Sequence, residues 1–201
     1  MWKIKQERYA LKILKEAGMK DCNATLCLME LGLKLSKVED EPEAEATQYR
    51  KGVGCLRYLL YTRPDLTYSV GVVSRYMQSP KEPHAHAIKQ ILYYLKGTNS
   101  FGIKYKRCND MKLVGYNDSS HNVDIDDGRS TTGHIFYLGG NTFTLAITSF
   151  VSVENEQVLV EHVSGENQRV DPLMKAWARL RFKDMRSLLG VQELPSLTQK
   201  F

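Results

Sequence analysis

No stretch of this chain stays apolar over the ~20 residues that a membrane-crossing helix needs. Its start, Met1-Trp2-Lys3-Ile4-Lys5-Gln6, lacks the apolar core of a secretory leader. Both absences lead to the expectation of an intracellular protein, cytoplasmic or nuclear, not secreted and with no membrane partner. Cysteine is sparse and unpatterned. Cys22, Cys27, Cys55 and Cys108 show no metal-ligand spacing and have no histidine close by, so reduced thiols are expected rather than a disulfide framework or a zinc site. There is no internal repeat. The one biased segment, Val-Glu-Asp-Glu-Pro-Glu-Ala-Glu-Ala within residues 37–47, reads as an exposed acidic linker.

What is present fits a globular protein. The chain has 201 residues, 42% hydrophobic and 25% charged, enough for one large domain or two small ones. A net charge of +5 leans toward contact with a polyanion, a lean that many soluble proteins share.

Apolar spacing predicts a helix over residues 6–17, with Tyr9, Ile13 and Leu14 on one face and Gly18 as its stop. Three more helices are expected. The first, about 48–62, uses Val53, Leu56, Leu59 and Leu60. The second begins at Asp65, carries Leu66, Val70, Val73 and Met77, and breaks at Ser79-Pro80-Lys81-Glu82-Pro83. The third carries His84, Ile88, Ile91, Leu92 and Leu95 and ends at Gly97. Beyond it the period changes to two. Gly102–Lys106 alternates, 112–116 is short and apolar, and Ile135–Leu138 and Phe143–Leu145 flank the turn signal Gly139-Gly140-Asn141. Val158–Val163 is a further strand candidate, and a long amphipathic helix is expected from Pro172. The order is helices first, then strands closed by one helix.

Chemistry enters with Leu113-Val114-Gly115-Tyr116-Asn117-Asp118-Ser119-Ser120. A short apolar run that ends on one carboxylate is how metal-dependent nucleases present a cation ligand at the end of a core strand. Asp171, in Gln168-Arg169-Val170-Asp171-Pro172-Leu173, is a second carboxylate at a helix start; followed by proline, it serves equally well as an N-cap. His162 reads as a strand-face residue. Asp124, Asp126 and Asp127 lack the bidentate glutamate of a calcium loop and read as a solvated loop. His84 and His86, two residues apart, share no helix face and are expected at the surface. Lys104, Lys106 and Arg107 interleave with Tyr105. Lys175, Arg179, Arg181, Lys183 and Arg186 make the terminal helix basic. Lys104, Lys106, Arg179 and Lys183 are the candidate phosphate contacts, beside the plainer readings of a lysine-bearing strand edge and a solvated helix face.

Several motifs in order carry a resemblance. They are Ala17-Gly18-Met19 with Asp21-Cys22, Tyr49-Arg50-Lys51-Gly52-Val53-Gly54-Cys55-Leu56-Arg57-Tyr58-Leu59, Thr62-Arg63-Pro64-Asp65, Tyr94-Leu95-Lys96-Gly97-Thr98, and Arg129-Ser130-Thr131-Thr132-Gly133. Together they resemble the C-terminal part of a copia-type retrotransposon Pol polyprotein, over nearly the whole chain. The resemblance implies an α+β / α/β protein in three parts. These are a reverse transcriptase tail and acidic linker (1–48), a helical connection region (49–109), and a ribonuclease H-like mixed sheet with a C-terminal helix (110–201). It also implies metal-dependent cutting of the RNA strand of an RNA–DNA hybrid. Two Mg²⁺ ions would be held by clustered carboxylates, because in-line phosphoryl displacement builds charge on both the attacking and leaving oxygens. Asp118 and Asp171 match two of those ligands. His162 lies near the family's flexible loop.

The family pattern places a helix bearing a glutamate, then a strand ending in an aspartate, between the positions of Thr144 and Glu154. Here that interval reads Leu145-Ala146-Ile147-Thr148-Ser149-Phe150-Val151-Ser152-Val153. The polymerase carboxylates of the family are also not matched. The expectation is therefore an incomplete ribonuclease H domain in a remnant that does not itself cut. Alternatives are an active nuclease completed by a partner chain, or a non-catalytic basic module binding nucleic acid weakly through charge.

Overall fold

A computed structural model describes residues 1–30, 32–33, 35–37, 41–120, 131–147, 169–170, 173, 176 and 179–195; for 117–120, 131–134, 143–147 and 179–180 it describes the backbone alone. The elements are β1 (Trp2–Ile4), α1 (Glu7–Glu16), α2 (Ala46–Leu59), a 3₁₀ turn (Pro64–Leu66), α3 (Thr67–Ser74), α4 (Glu82–Gly97), β2 (Phe101–Tyr105), β3 (Leu113–Ser120), β4 (Thr131–Leu138), β5 (Asn141–Ile147), α5 (Arg179–Leu188) and β6 (Val191–Glu193). No helix among the described residues is long and apolar enough to cross a membrane.

The four earlier helices form close to where the apolar spacing places them, and their ends have identifiable causes; the terminal helix, expected from Pro172, is described as α5 only from Arg179, and Ala176 before it is not helical. Gly18, at φ +69°, closes α1. The Met19 N–H donates to the Leu14 carbonyl at 2.8 Å and the Gly18 N–H to Lys15 at 3.1 Å, so the last carbonyls are satisfied. The Glu45 carboxylate caps α2, accepting from the Thr47 and Gln48 N–H groups at 2.9 and 2.6 Å. The acidic linker is thus partly docked rather than free. Ala44 donates to the Pro80 carbonyl, Glu82 donates to that of Pro42, and Glu43 bridges to Lys81.

His84 departs from expectation. It is buried at 1% exposure and stacked on Tyr76 with ring centroids 3.9 Å apart. Its Nδ1 accepts the Lys81 N–H at 2.9 Å, and its Nε2 meets the Ser36 carbonyl at 2.9 Å. Sitting three residues after the cap, the imidazole does the work that a glutamate does in a capping box. Spacing between the two histidines could not show this, because the partner Tyr76 comes from the turn that follows α3. His86 is exposed as expected.

Two three-stranded antiparallel sheets follow. One has the order β3-β4-β5, a meander whose β4–β5 turn is Gly139-Gly140, with φ of +57° and +75°. Two successive left-handed residues match the right-handed strand twist, which is why glycine occupies both. The other sheet, β1-β2-β6, unites the two ends of the chain around residues 101–105. Neither β1 nor β6 is legible in the sequence, because three residues are too few to show a period. β2 is consequently a central strand, not an exposed edge.

One apolar core fills the helical half, with Leu14, Val53, Leu56, Leu66, Val70, Ile91 and Leu95 among its members, and it takes in Phe182 of α5. A second joins the two sheets through Ile103, Ile135, Tyr137, Val170, Leu173, Leu189 and Val191. The α5–β6 segment therefore belongs to both. The strand candidate Val158–Val163 lies outside the described residues.

Candidate functional site

Asp118 lies inside β3 rather than at its end, since the strand continues to Ser120. In the backbone register Asp118 faces Gly133 of β4. Gly133, the last residue of the Arg-Ser-Thr-Thr-Gly motif, in turn faces Ile147 of β5. Asp171 and His162, and the loop with Asp124, Asp126 and Asp127, lie outside the described residues. Arg169, two residues before Asp171, is described. Its guanidinium lies over the rings of Tyr137 at 4.6 Å and Tyr116 at 5.3 Å, and Val170 beside it is fully buried. That segment is thereby pinned to the strand pair β3–β4. Among the described residues no three histidine, cysteine, aspartate or glutamate side chains come together to hold a metal.

The basic candidates are spread over two elements. Lys104, half-buried on β2, stands opposite Lys3 of β1. Lys106, exposed, follows directly, its backbone clamped at both N–H and carbonyl by the Asn141 amide at 2.6 and 2.9 Å. Lys183 is exposed on α5, whose backbone also carries Arg179.

The densest polar constellation among the described residues is not one that the sequence singles out as a site. Arg63 and Asp65, exposed by 2% and 0%, form a bidentate pair, Nε to Oδ1 at 2.9 Å and Nη2 to Oδ2 at 2.7 Å. Arg63 also donates to the Thr98 carbonyl at 2.7 Å and to its hydroxyl at 2.8 Å. The Tyr94 hydroxyl donates to Asp65 at 2.8 Å and accepts from Arg186 of α5 at 2.9 Å. The Arg186 guanidinium lies 4.4 Å over Phe101. Burial, and then the Asp65 charge, push the Tyr94 phenol well above the usual tyrosine range, so it remains a neutral donor.

Thr62-Arg63-Pro64-Asp65 and Tyr94–Thr98, two separate motifs in the sequence, are thus one buried joint. Every Arg63 donor group here has an internal partner, which makes the joint architectural. The Tyr49 motif works similarly. The Tyr49 hydroxyl donates to Val73, and Arg50 donates to Met77 and Gln78, tying α2 to the end of α3.

No family model matches the chain, and no solved structure does. Sequence relatives do. The chain is 40% identical over 136 residues to a retrovirus-related Pol polyprotein from transposon RE1 of Arabidopsis thaliana, covering 68% of this chain and 9% of the relative. It is 34% identical over 151 residues to the Pol polyprotein from transposon TNT 1-94 of Nicotiana tabacum, covering 72% and 11%. An uncharacterized mitochondrial protein of Arabidopsis thaliana is 36% identical over 107 residues, 51% of this chain and 96% of that protein. The chain is therefore related to proteins of mobile elements. It belongs with the copia-type, retrovirus-related Pol polyproteins of transposons. It spans about a tenth of the length of the polyproteins it matches.

Proposed function

We propose that this chain is a non-catalytic remnant of a Pol polyprotein, in which the ribonuclease H segment has lost the elements that complete its hybrid-cutting site. The length of β5 carries this reading. The strand continues to Ile147, so only residues 148–153 separate it from Glu154, where the family pattern resumes. Six helical residues span about 9 Å. A crossover between parallel strands needs about a dozen residues or more, usually as a helix. Neither a glutamate-bearing helix nor the strand after it fits that interval. Asp118 and Asp171 are left as the family's ligands, too few to bridge the two cations that a hybrid-cutting site uses.

The test is incubation of the purified chain with labelled RNA–DNA hybrid and Mg²⁺ or Mn²⁺. No product is expected. Product that disappears in Asp118→Asn would overturn the reading in favour of an active nuclease completed by a partner chain.

A second element of the reading is weak, sequence-independent contact with nucleic acid. It is supported by the juxtaposition of Lys3 and Lys104 and by the exposure of Lys106 and Lys183. Like charges set directly opposite each other on a sheet repel, and a phosphate backbone relieves that repulsion while releasing counterions. Affinity should fall steeply as salt rises. A binding curve unchanged between low and physiological salt would count against it.

A further inference from the structure

We propose that a row of tyrosines where α1 meets the end of α2, Tyr9–Tyr58–Tyr61, is a stacking platform for single-stranded nucleic acid. This rests on the nucleic-acid contact proposed above and gives it a place and a preference. Tyr9 and Tyr58 meet edge to face at 4.9 Å and 72°. Tyr61 continues the row at 6.2 Å and 73°. Exposure rises outward, from a half-buried Tyr9 through 55% for Tyr58 to 80% for Tyr61.

The core does not require these outer rings. The buried face of α2 is Tyr49, Val53, Leu56 and Leu59, and Tyr58 and Tyr61 lie off it. Their backbone is nevertheless held. The Thr62 hydroxyl donates to Gln6 at 2.7 Å, and the Thr62 and Arg63 N–H groups donate to the Leu59 carbonyl. Tyr9 anchors the inner end, its phenol raised to about 12 by burial and then by its hydrogen bond with Cys55. Exposed rings on a fixed backbone lose little freedom when something stacks on them.

Charge selects the partner. Glu16 is held by Lys51 at 3.0 Å and Lys12 at 3.8 Å, and Glu7 by Lys5 at 2.6 Å. Arg8, Lys15 and Arg57, all exposed, have no carboxylate within 4 Å among the described residues. Arg57 adjoins Tyr58 in sequence, and Arg8 adjoins Tyr9. Open π-faces beside surplus cations suit unpaired bases and their phosphates. A duplex hides its base faces and can use only the cations.

The experiment is fluorescence anisotropy of the full chain with a labelled thymidine oligonucleotide and with a duplex of equal length. Tighter binding of the single strand is expected. Tyr58→Ala and Tyr61→Ala should each weaken single-strand binding by roughly tenfold, with the duplex little affected. Tyr61→Phe should keep the preference. Thermal melts of each variant confirm that the fold is retained. Equal affinity for both oligonucleotides, no binding of the wild type, or alanine variants that bind like wild type would each overturn the proposal. So would concentration-dependent self-association abolished by Tyr61→Ala, which would assign the surface to a second copy of the chain. Hybrid cleavage is read separately, so failure here leaves the non-catalytic reading standing.

Discussion

Arg63 shows how much can rest on one side chain. A guanidinium removed from water is costly unless each donor finds an acceptor, and Asp65 and Thr98 meet that need. Asp65→Asn keeps the shape but removes the compensating charge, leaving a buried cation. It should destabilise the chain by about 3–5 kcal/mol, read from the urea midpoint. Tyr94→Phe deletes one hydroxyl that bridges Asp65 and Arg186. A smaller loss is expected, about 1–3 kcal/mol for groups left unsatisfied. An Asp65→Asn variant as stable as wild type would remove the joint from the architecture. The motif residues were plain in the sequence, but their role was not. Thr98 lies 35 positions beyond Arg63, and nothing local pairs them.

At the scale of the element, caps and close approaches decide what periodicity leaves open. The N-terminal boundary of α2 is set by Glu45, whose carboxylate is held below its usual range first by the Gln48 N–H and then by that of Thr47. A group with a lowered folded pKa binds more protons when the chain is unfolded. Its contribution is thus complete above the ordinary glutamate value of about 4.3 and is lost as pH falls through the folded value. Stability should fall on acidification below about pH 5. Glu45→Ala should be less stable than wild type at neutral pH and show a shallower acid dependence, measured by thermal unfolding across that range. Identical profiles would mean that the cap is inert. In the sheets, β2 tolerates β1 only through Gly102, where a Cβ would collide with the Ile4 carbonyl and come within 2.7 Å of the Lys5 Cβ. The glycine was visible as a residue, whereas the strand it admits was not.

For the whole molecule, the two chain ends and the middle share one sheet, and the α5–β6 segment enters both cores, through Phe182 in one and through Leu189 and Val191 in the other. A fragment of residues 110–201 would lose β1, β2 and Tyr94, leaving Phe182 without its aromatic partner and the core around Leu189 and Val191 without Ile103, Phe101 and Tyr105. Among the described residues, β3 is paired along one edge only. The fragment should aggregate or bind a hydrophobic dye, while the full chain unfolds cooperatively. A soluble, monomeric fragment with a sharp thermal transition would show that the strands fold without the helical half.

The sequence by itself determined the first four helices, the double-glycine hairpin and the kinship with copia-type Pol polyproteins, because periods, turn residues and motif order are local properties of the chain. It also showed an interval too short for a helix and a strand, since chain length bounds what geometry can follow. Tertiary structure alone decided that His84 is buried, that Arg63 and Thr98 meet, that Arg186 joins them, and that three residues at each end become strands. Each of those outcomes depends on partners distant along the chain. The free energy of a buried charge or a three-residue strand lies in its neighbours, not in its own identity.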